Sequence, residues 1–273
     1  MRVSACAAAL AVAAALLAAS WSLPADAQWL DHGDNAALLT KAGAASKAVP
    51  VTAEESLSSH SCPDKPFPIS VVYPQGFDGN GPVDLAVKAL ADRFLAEAIS
   101  TGEEALADLD GCDGLEYYQY SVGSLPAELP GKAYSVLWRR DSNTGGAHPV
   151  FDYVSQTLKA DGTELLASDL FPDPAKSLPL LWKRIFADTC AKGNGTAASY
   201  YGSPECGSQA PPLPEALVPG ATLDGLGHAL LTTQGLILNL DPYEGWSWAD
   251  GEMAVEIPTA DLIAMGADPK LWQ

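Results

Sequence analysis

Two segments of the chain combine residue types that could recognise or transform a ligand. The first is Thr144-Gly145-Gly146-Ala147-His148-Pro149. Its glycines permit positive φ and its proline fixes the way out, so it can turn sharply between two strands while offering one imidazole. A lone histidine in such a turn most often bonds its own loop. The role expected of Gly145, Gly146 and His148 is therefore to shape a loop beside a site. The second segment is GLILNLDPYEGWSWADGEMAVEIP, Gly235 to Pro258. A strand runs into a loop carrying Tyr243, Glu244, Trp246 and Trp248, with Asp250 and Glu252 behind them. Tyrosine and tryptophan supply large rigid contact area, and carboxylates select cations or sugar hydroxyls. Tyr243, Glu244, Trp246 and Trp248 are the expected ligand contacts; the other reading of the same rings is that they cover the edge of a core.

Catalytic signatures are missing. There is no G-x-S-x-G nucleophile elbow, phosphate loop or dinucleotide fingerprint. His32, His60, His148 and His228 are far apart, with no H-x-x-x-H pair, so no metal and no cofactor is expected. Asp108, Asp110, Asp113 and Glu116 crowd around Cys112, but their glycine falls at the wrong place for an EF-hand loop. That run reads as an acidic turn. The alternative to a non-catalytic protein is an envelope hydrolase, which would require at least two of Asp152, His148, Glu244 and His228 to converge in one pocket.

The elements that must hold these segments follow from periodicity. Ile69, Val71 and Tyr73 alternate as in a strand, and ordered structure is expected from about Pro66. Pro82 opens a helix with Val83, Val87, Leu90, Phe94 and Ala98 on one face. Thr101 and Glu104 have capping-box spacing, predicting a second short helix to Leu109. Leu115–Val122, Ala133–Arg140 and Phe151–Leu158 read as strands, the last followed by an Ala-Asp-Gly turn. A helix is expected after Ser177, strands at Ala229–Thr232, Leu236–Leu240 and Met253–Ile257, and a short helix capped by Thr259 and stopped by Gly266. Helices separating groups of hairpin-joined strands predict an α+β fold with antiparallel sheets, packed helices and two similar-sized subdomains. The expected divisions are a signal peptide at 1–27, a flexible arm rich in Ala, Ser and Asp at 28–64, an N-terminal subdomain at 65–150 and a C-terminal domain at 151–273.

The leader is read from Arg2, an uncharged apolar stretch from Ala7 to Ala19, and Ala25-Asp26-Ala27 as a small-x-small cleavage site. The apolar stretch is shorter than the roughly 20 residues a membrane span needs, so cleavage and no stable membrane anchor are expected. A periplasmic or secreted location follows. Cys62, Cys112, Cys190 and Cys206 remain, an even number suited to disulfides outside the cytoplasm. Of three possible pairings, Cys190–Cys206 closes a short Gly/Ala/Ser-rich loop and is favoured, leaving Cys62–Cys112. Acids outnumber bases 34 to 15, a net charge of -19. The leader holds one of each sign, Arg2 and Asp26, so the remainder keeps the whole value. Such a surface repels nucleic acid and suits a cationic partner.

The order GGAHP, strand, D-G turn, "SDLF", helix, "GLILNLDPYE" and "G-x-x-x-V-x-IP" with a short helix resembles the RsiV-like family. That family's extracytoplasmic C-terminal domain of unknown function occurs in anti-sigma factors and beside peptidoglycan deacetylases. The resemblance covers about residues 133–265. A weaker one over 66–132 is to the companion N-terminal domain. It implies an α+β binding module, with a cationic protein (lysozyme) or a cell-wall glycan as partner. Few residues precede the apolar run and no deacetylase domain is present, so neither signalling to the cytoplasm nor deacetylation is expected. The loop after Tyr243 is richer in tryptophan than the family pattern.

Overall fold

The computed structural model describes residues 46–59, 62–77, 81–107, 109, 111–145, 149–192, 220–240 and 253–273. The leader, most of the expected arm, Cys206, Gly146, His148, and the loop bearing Tyr243, Glu244, Trp246 and Trp248 lie outside these residues.

Alternation at Phe67, Ile69, Val71 and Tyr73 and at Tyr134, Val136 and Trp138 marks inner strands of the first sheet. Its strands are β1 (Val49–Ser59), β2 (Cys62–Gln75), β3 (Gln119–Glu128), β4 (Ala133–Asn143) and β5 (Val150–Lys159), in that spatial order. All neighbours are antiparallel except β2 and β3, which run parallel and are joined through helix α1 (Gly81–Ala107). The short helix α2 (Ala167–Leu170) and the longer α3 (Pro174–Lys192) follow. Strands β6 (Ala229–Thr232), β7 (Gly235–Leu240) and β8 (Met253–Pro258) form a second, antiparallel sheet, and α4 (Thr259–Ala264) closes the order. The fold is α+β with antiparallel-dominated sheets, as the sequence predicts.

Strand β4 explains the layering. Every residue from Ala133 to Arg139 is buried, so both of its faces are covered. Tyr134, Val136 and Trp138 meet Val87, Leu90 and Phe94 of α1. Leu137, on the other face, joins Leu125, Tyr153, Leu230, Ile237 and Ala254, where the second sheet stacks on the first. The outer face of the second sheet, with Leu231, Leu236, Val255 and Ile257, packs on Leu178, Leu181, Trp182 and Ile185 of α3 and Leu262 of α4. The order of layers is α1, five-stranded sheet, three-stranded sheet, α3 with α4. Each fully buried aliphatic or aromatic side chain contributes about 1.5–3 kcal/mol, so three apolar seams hold the stack.

The strand directions give the stack two distinct poles. At one, Glu128 Oε1 accepts from Ser46 Oγ and the Lys47 N–H, each at 2.8 Å. Gly131 donates its N–H to the Leu271 carbonyl at 3.1 Å, and Trp272 Nε1 donates to the Thr232 carbonyl at 2.9 Å. Both ends of the described chain are therefore tied to the β3–β4 turn. The opposite pole carries the β4–β5 connection, residues 144–149. Strand β6 has Thr232 at the first pole, so antiparallel β7 delivers Leu240 to the second, where β8 starts at Met253. The connections 144–149 and 241–252 both leave from this pole.

Several expectations are corrected. The stretch 28–64 does not read as an arm throughout: β1 occupies 49–59 and pairs along β2. Among the described residues no strand pairs with its outer edge, only Val51, Ala53 and Leu57 are half-buried, and the apolar periodicity is thin. Order begins well before Pro66, since β2 starts at Cys62. The two helices expected on either side of Thr101 are one continuous helix, with Thr101 and Glu104 inside it. No breaker separates them, and Gly102 is there for close approach: a Cβ would stand 2.7 Å from Leu57 Cδ1. Helix α3 starts at Pro174, ahead of Ser177, and keeps Pro179 inside it, because a proline early in a helix removes one hydrogen bond without ending the helix. Thr259 is the first helical residue of α4, following Pro258 as N-cap, and its N–H goes to the Gln234 carbonyl. The boundary placed at 150/151 falls at the start of β5, which pairs with β4 along ten positions of one sheet.

Candidate binding site

The site is built from the ends of β4 and β5 and from the outer edge of β5. Arg139 and Arg140 are adjacent on β4 and so point to opposite faces. On the α1 face, Arg140 Nε donates to Asp152 Oδ1 at 2.7 Å and Nη2 to Asp152 Oδ2. Its Nη1 donates to both oxygens of Glu97, at 2.9 and 3.1 Å. The guanidinium also lies 5.5 Å from the centre of the Phe94 ring. The Asp152 hydrogen bonds hold its pKa above the ordinary arginine range. Beside it, burial pushes the Tyr120 phenol up to about 12, with Arg140 opposing, so this hydroxyl stays protonated. On the other face, Arg139 donates through Nε and Nη2 to Asp141 Oδ1 at 3.1 and 2.9 Å. It stacks 4.3 Å above the Phe151 ring. Burial pushes the Asp141 carboxyl up, against the pull of Arg139. These paired arginines fix the two strands that carry the 144–149 connection.

Gly145 begins that connection at φ +88° and donates its N–H to Asn143 Oδ1 at 3.2 Å. A Cβ here would stand 2.0 Å from Tyr118 Oη, so the tyrosine fills the space that a side chain would take. Tyr117 and Val150 flank the turn at 68% and 55% exposure, an apolar shoulder at this pole.

At the outer edge of β5, Asp224 Oδ1 accepts from the Ser155 N–H at 2.7 Å and from Ser155 Oγ at 3.0 Å, and stands 2.9 Å from His228 Nδ1. Burial alone pushes this carboxyl up. The hydrogen bonds from His228 and Ser155 outweigh it and hold the pKa below the usual aspartate value. His228 sits in left-handed backbone at φ +47°, directly after Gly227 at +100°. Asn239 of β7 donates its N–H to the Gly227 and His228 carbonyls and its Nδ2 to the latter at 3.4 Å. The trio of serine, aspartate and histidine is a fork and not a relay. Ser155 gives its hydroxyl proton to the carboxylate, whereas a nucleophilic serine gives it to the imidazole. The arrangement clamps β5 to the turn before β6.

The sequence-predicted residues separate as follows. Gly145 shapes its turn. Asp152 is bonded to Arg140 on the α1 face, while His228 is bonded to Asp224 beside Ser155, so the two have different partners; His148 and Glu244 lie outside the described residues. Among the described residues no three His, Cys, Asp or Glu side chains are grouped to hold a metal ion, and no helix is long and apolar enough to cross a membrane. Cys62 is bonded to Cys112, as expected, and Cys190 is disulfide-bonded to a residue outside the described set. The Asp224 clamp is not legible in the sequence. Its only signal was the spacing Asp-Gly-Leu-Gly-His, and the serine that completes it lies 69 residues away.

The stack of layers is similar to two solved structures. One is a DUF3298 family protein from Pseudomonas aeruginosa PAO1, with a TM-score of 0.52 and 13% identity over 83% of this chain and 96% of that one. The other is a member of the DUF3298 family from Bacteroides fragilis NCTC 9343, with a TM-score of 0.51 and 14% identity over 83% of this chain and 97% of that one. The chain has the fold of DUF3298 family proteins. At these identities the likeness concerns the fold alone. No family model matches the sequence, and no curated protein matches it either.

Proposed function

We propose that this chain is an exported, non-catalytic binding protein of the cell envelope, of the RsiV-like kind, and that it recognises its ligand at the pole from which residues 144–149 and 241–252 leave. The observation that carries this reading is the shared exit of the two connections, opposite the pole to which both described chain ends are tied. The described ends that flank two segments remote in sequence thereby lie at one pole, with Tyr117 and Val150 beside it. Tyr243, Glu244, Trp246 and Trp248 would act there as contacts, with Gly145, Gly146 and His148 shaping the neighbouring turn. The ligand is a cationic protein such as lysozyme or a peptidoglycan-related glycan. A net charge of -19 favours the cation by steering, and aromatic side chains give flat faces for either. The hydrolase reading loses support because Asp152 and His228 have different partners and Ser155 is bonded to a carboxylate. Calorimetric titration with lysozyme and with soluble peptidoglycan fragments tests the proposal. Heat with either ligand, reduced by Trp246→Ala with Trp248→Ala, is expected; no heat with both sinks it.

A further inference from the structure

The edge of the five-stranded sheet is as distinctive as its pole. Strand β1 is 11 residues long and lies outermost among the described strands, so half of its backbone N–H and C=O groups face away from β2. An edge of this length pairs readily with another strand unless something guards it. It is also held ready. At one end Ser46 and Lys47 are fastened to Glu128; at the other, Ser59 opposes Cys62, which is bonded to Cys112. A strand pinned at both ends has already paid the ordering entropy that binding demands.

The side chains select the occupant. Thr52, Glu54 and Ser56 are exposed on the face away from α1, and Glu55 is exposed on the α1 face between the half-buried Ala53 and Leu57. Glu54 and Glu55 have no ion-pair partner among the described residues. A second copy is disfavoured, because antiparallel pairing about the middle of β1 sets Glu54 against Glu54, and like charges directly opposite destabilise a sheet. We propose that the β1 edge is a docking site for an extended basic segment of another protein, added as a sixth strand. Its lysine or arginine side chains lie against Glu54 and Glu55, and its small apolar side chains cover Val51, Ala53 and Leu57. Main-chain bonds give the affinity and the glutamates give the choice of partner. This surface is separate from the pole assigned above, so failure there with lysozyme and glycan leaves it standing.

The test uses the whole chain and two short peptides, one with two adjacent lysines, which point to opposite faces of an added strand, between valines and threonines, the other with glutamate in place of lysine. The lysine peptide is expected to bind at least about tenfold more tightly and to slow amide exchange within 49–59. The double variant Glu54→Lys with Glu55→Lys, checked for an unchanged melting temperature, should reverse the preference. Equal affinity for the two peptides, protection elsewhere than 49–59, or self-association of the free chain through β1 would overturn the proposal.

Discussion

One carboxylate oxygen, Asp224 Oδ1, gathers three hydrogen bonds, two from Ser155 of β5 and one with His228 in the turn before β6, and its removal reports on how firmly that turn holds β5. Asp224→Ala leaves the Ser155 N–H without its acceptor and should cost about 1–3 kcal/mol in denaturant unfolding. The carboxyl lies below its ordinary value of 3.8 in the folded chain, so its contribution is fully present above that value and is lost as pH falls through the folded pKa. The stability gap between the native chain and Asp224→Asn should therefore narrow on acidification below about pH 4. A gap independent of pH would show that the clamp does not depend on ionised Asp224. Gly145→Ala is the second residue-scale case. It combines left-handed backbone with a clash on Tyr118 Oη, and should destabilise by about 1–3 kcal/mol. A neutral result by thermal melting would mean that Tyr118 moves aside freely.

At the scale of elements, legibility in the sequence followed burial. Strands β6 and β7 were read within a residue, because Leu230, Leu231, Leu236 and Leu238 are buried on both faces and announce themselves as apolar runs. Strand β1 reads as an arm in the sequence, because an edge strand with one half-buried face shows little alternation. The apparent break in α1 came from Thr101 and Glu104, whose local signal is overridden by packing of Gly102 against Leu57 and Phe67. The candidate site was legible only as separate segments. Hydrophobic period indicates that a strand has a buried face but not which partner covers it, so the meeting of the two exits at one pole was invisible. The Cys62–Cys112 bond ties β2 to the turn after α1 across 50 residues. Replacing both cysteines by serine should lower stability by about 4 kcal/mol on the chain-entropy account. The same change should raise amide exchange in β1 ahead of that in β4; equal rates would show that the bond does not hold the edge.

For the whole molecule, the four layers divide the work between a scaffold and one end. The pole with Glu128, Gly131 and Trp272 ties down both ends of the described chain, while the strand ends flanking 144–149 and 241–252 lie at the opposite pole. On the proposal that a ligand is recognised there, the layers need not move, so binding should leave exchange in β4 and α1 unchanged. The most direct measurement is amide exchange of the intact chain with and without a saturating ligand found by titration with lysozyme and peptidoglycan fragments. Slowed exchange confined to residues 143–151 and 240–253 is the predicted result. The absence of binding by both ligands, or protection only at the pole that holds the chain ends, would contradict it.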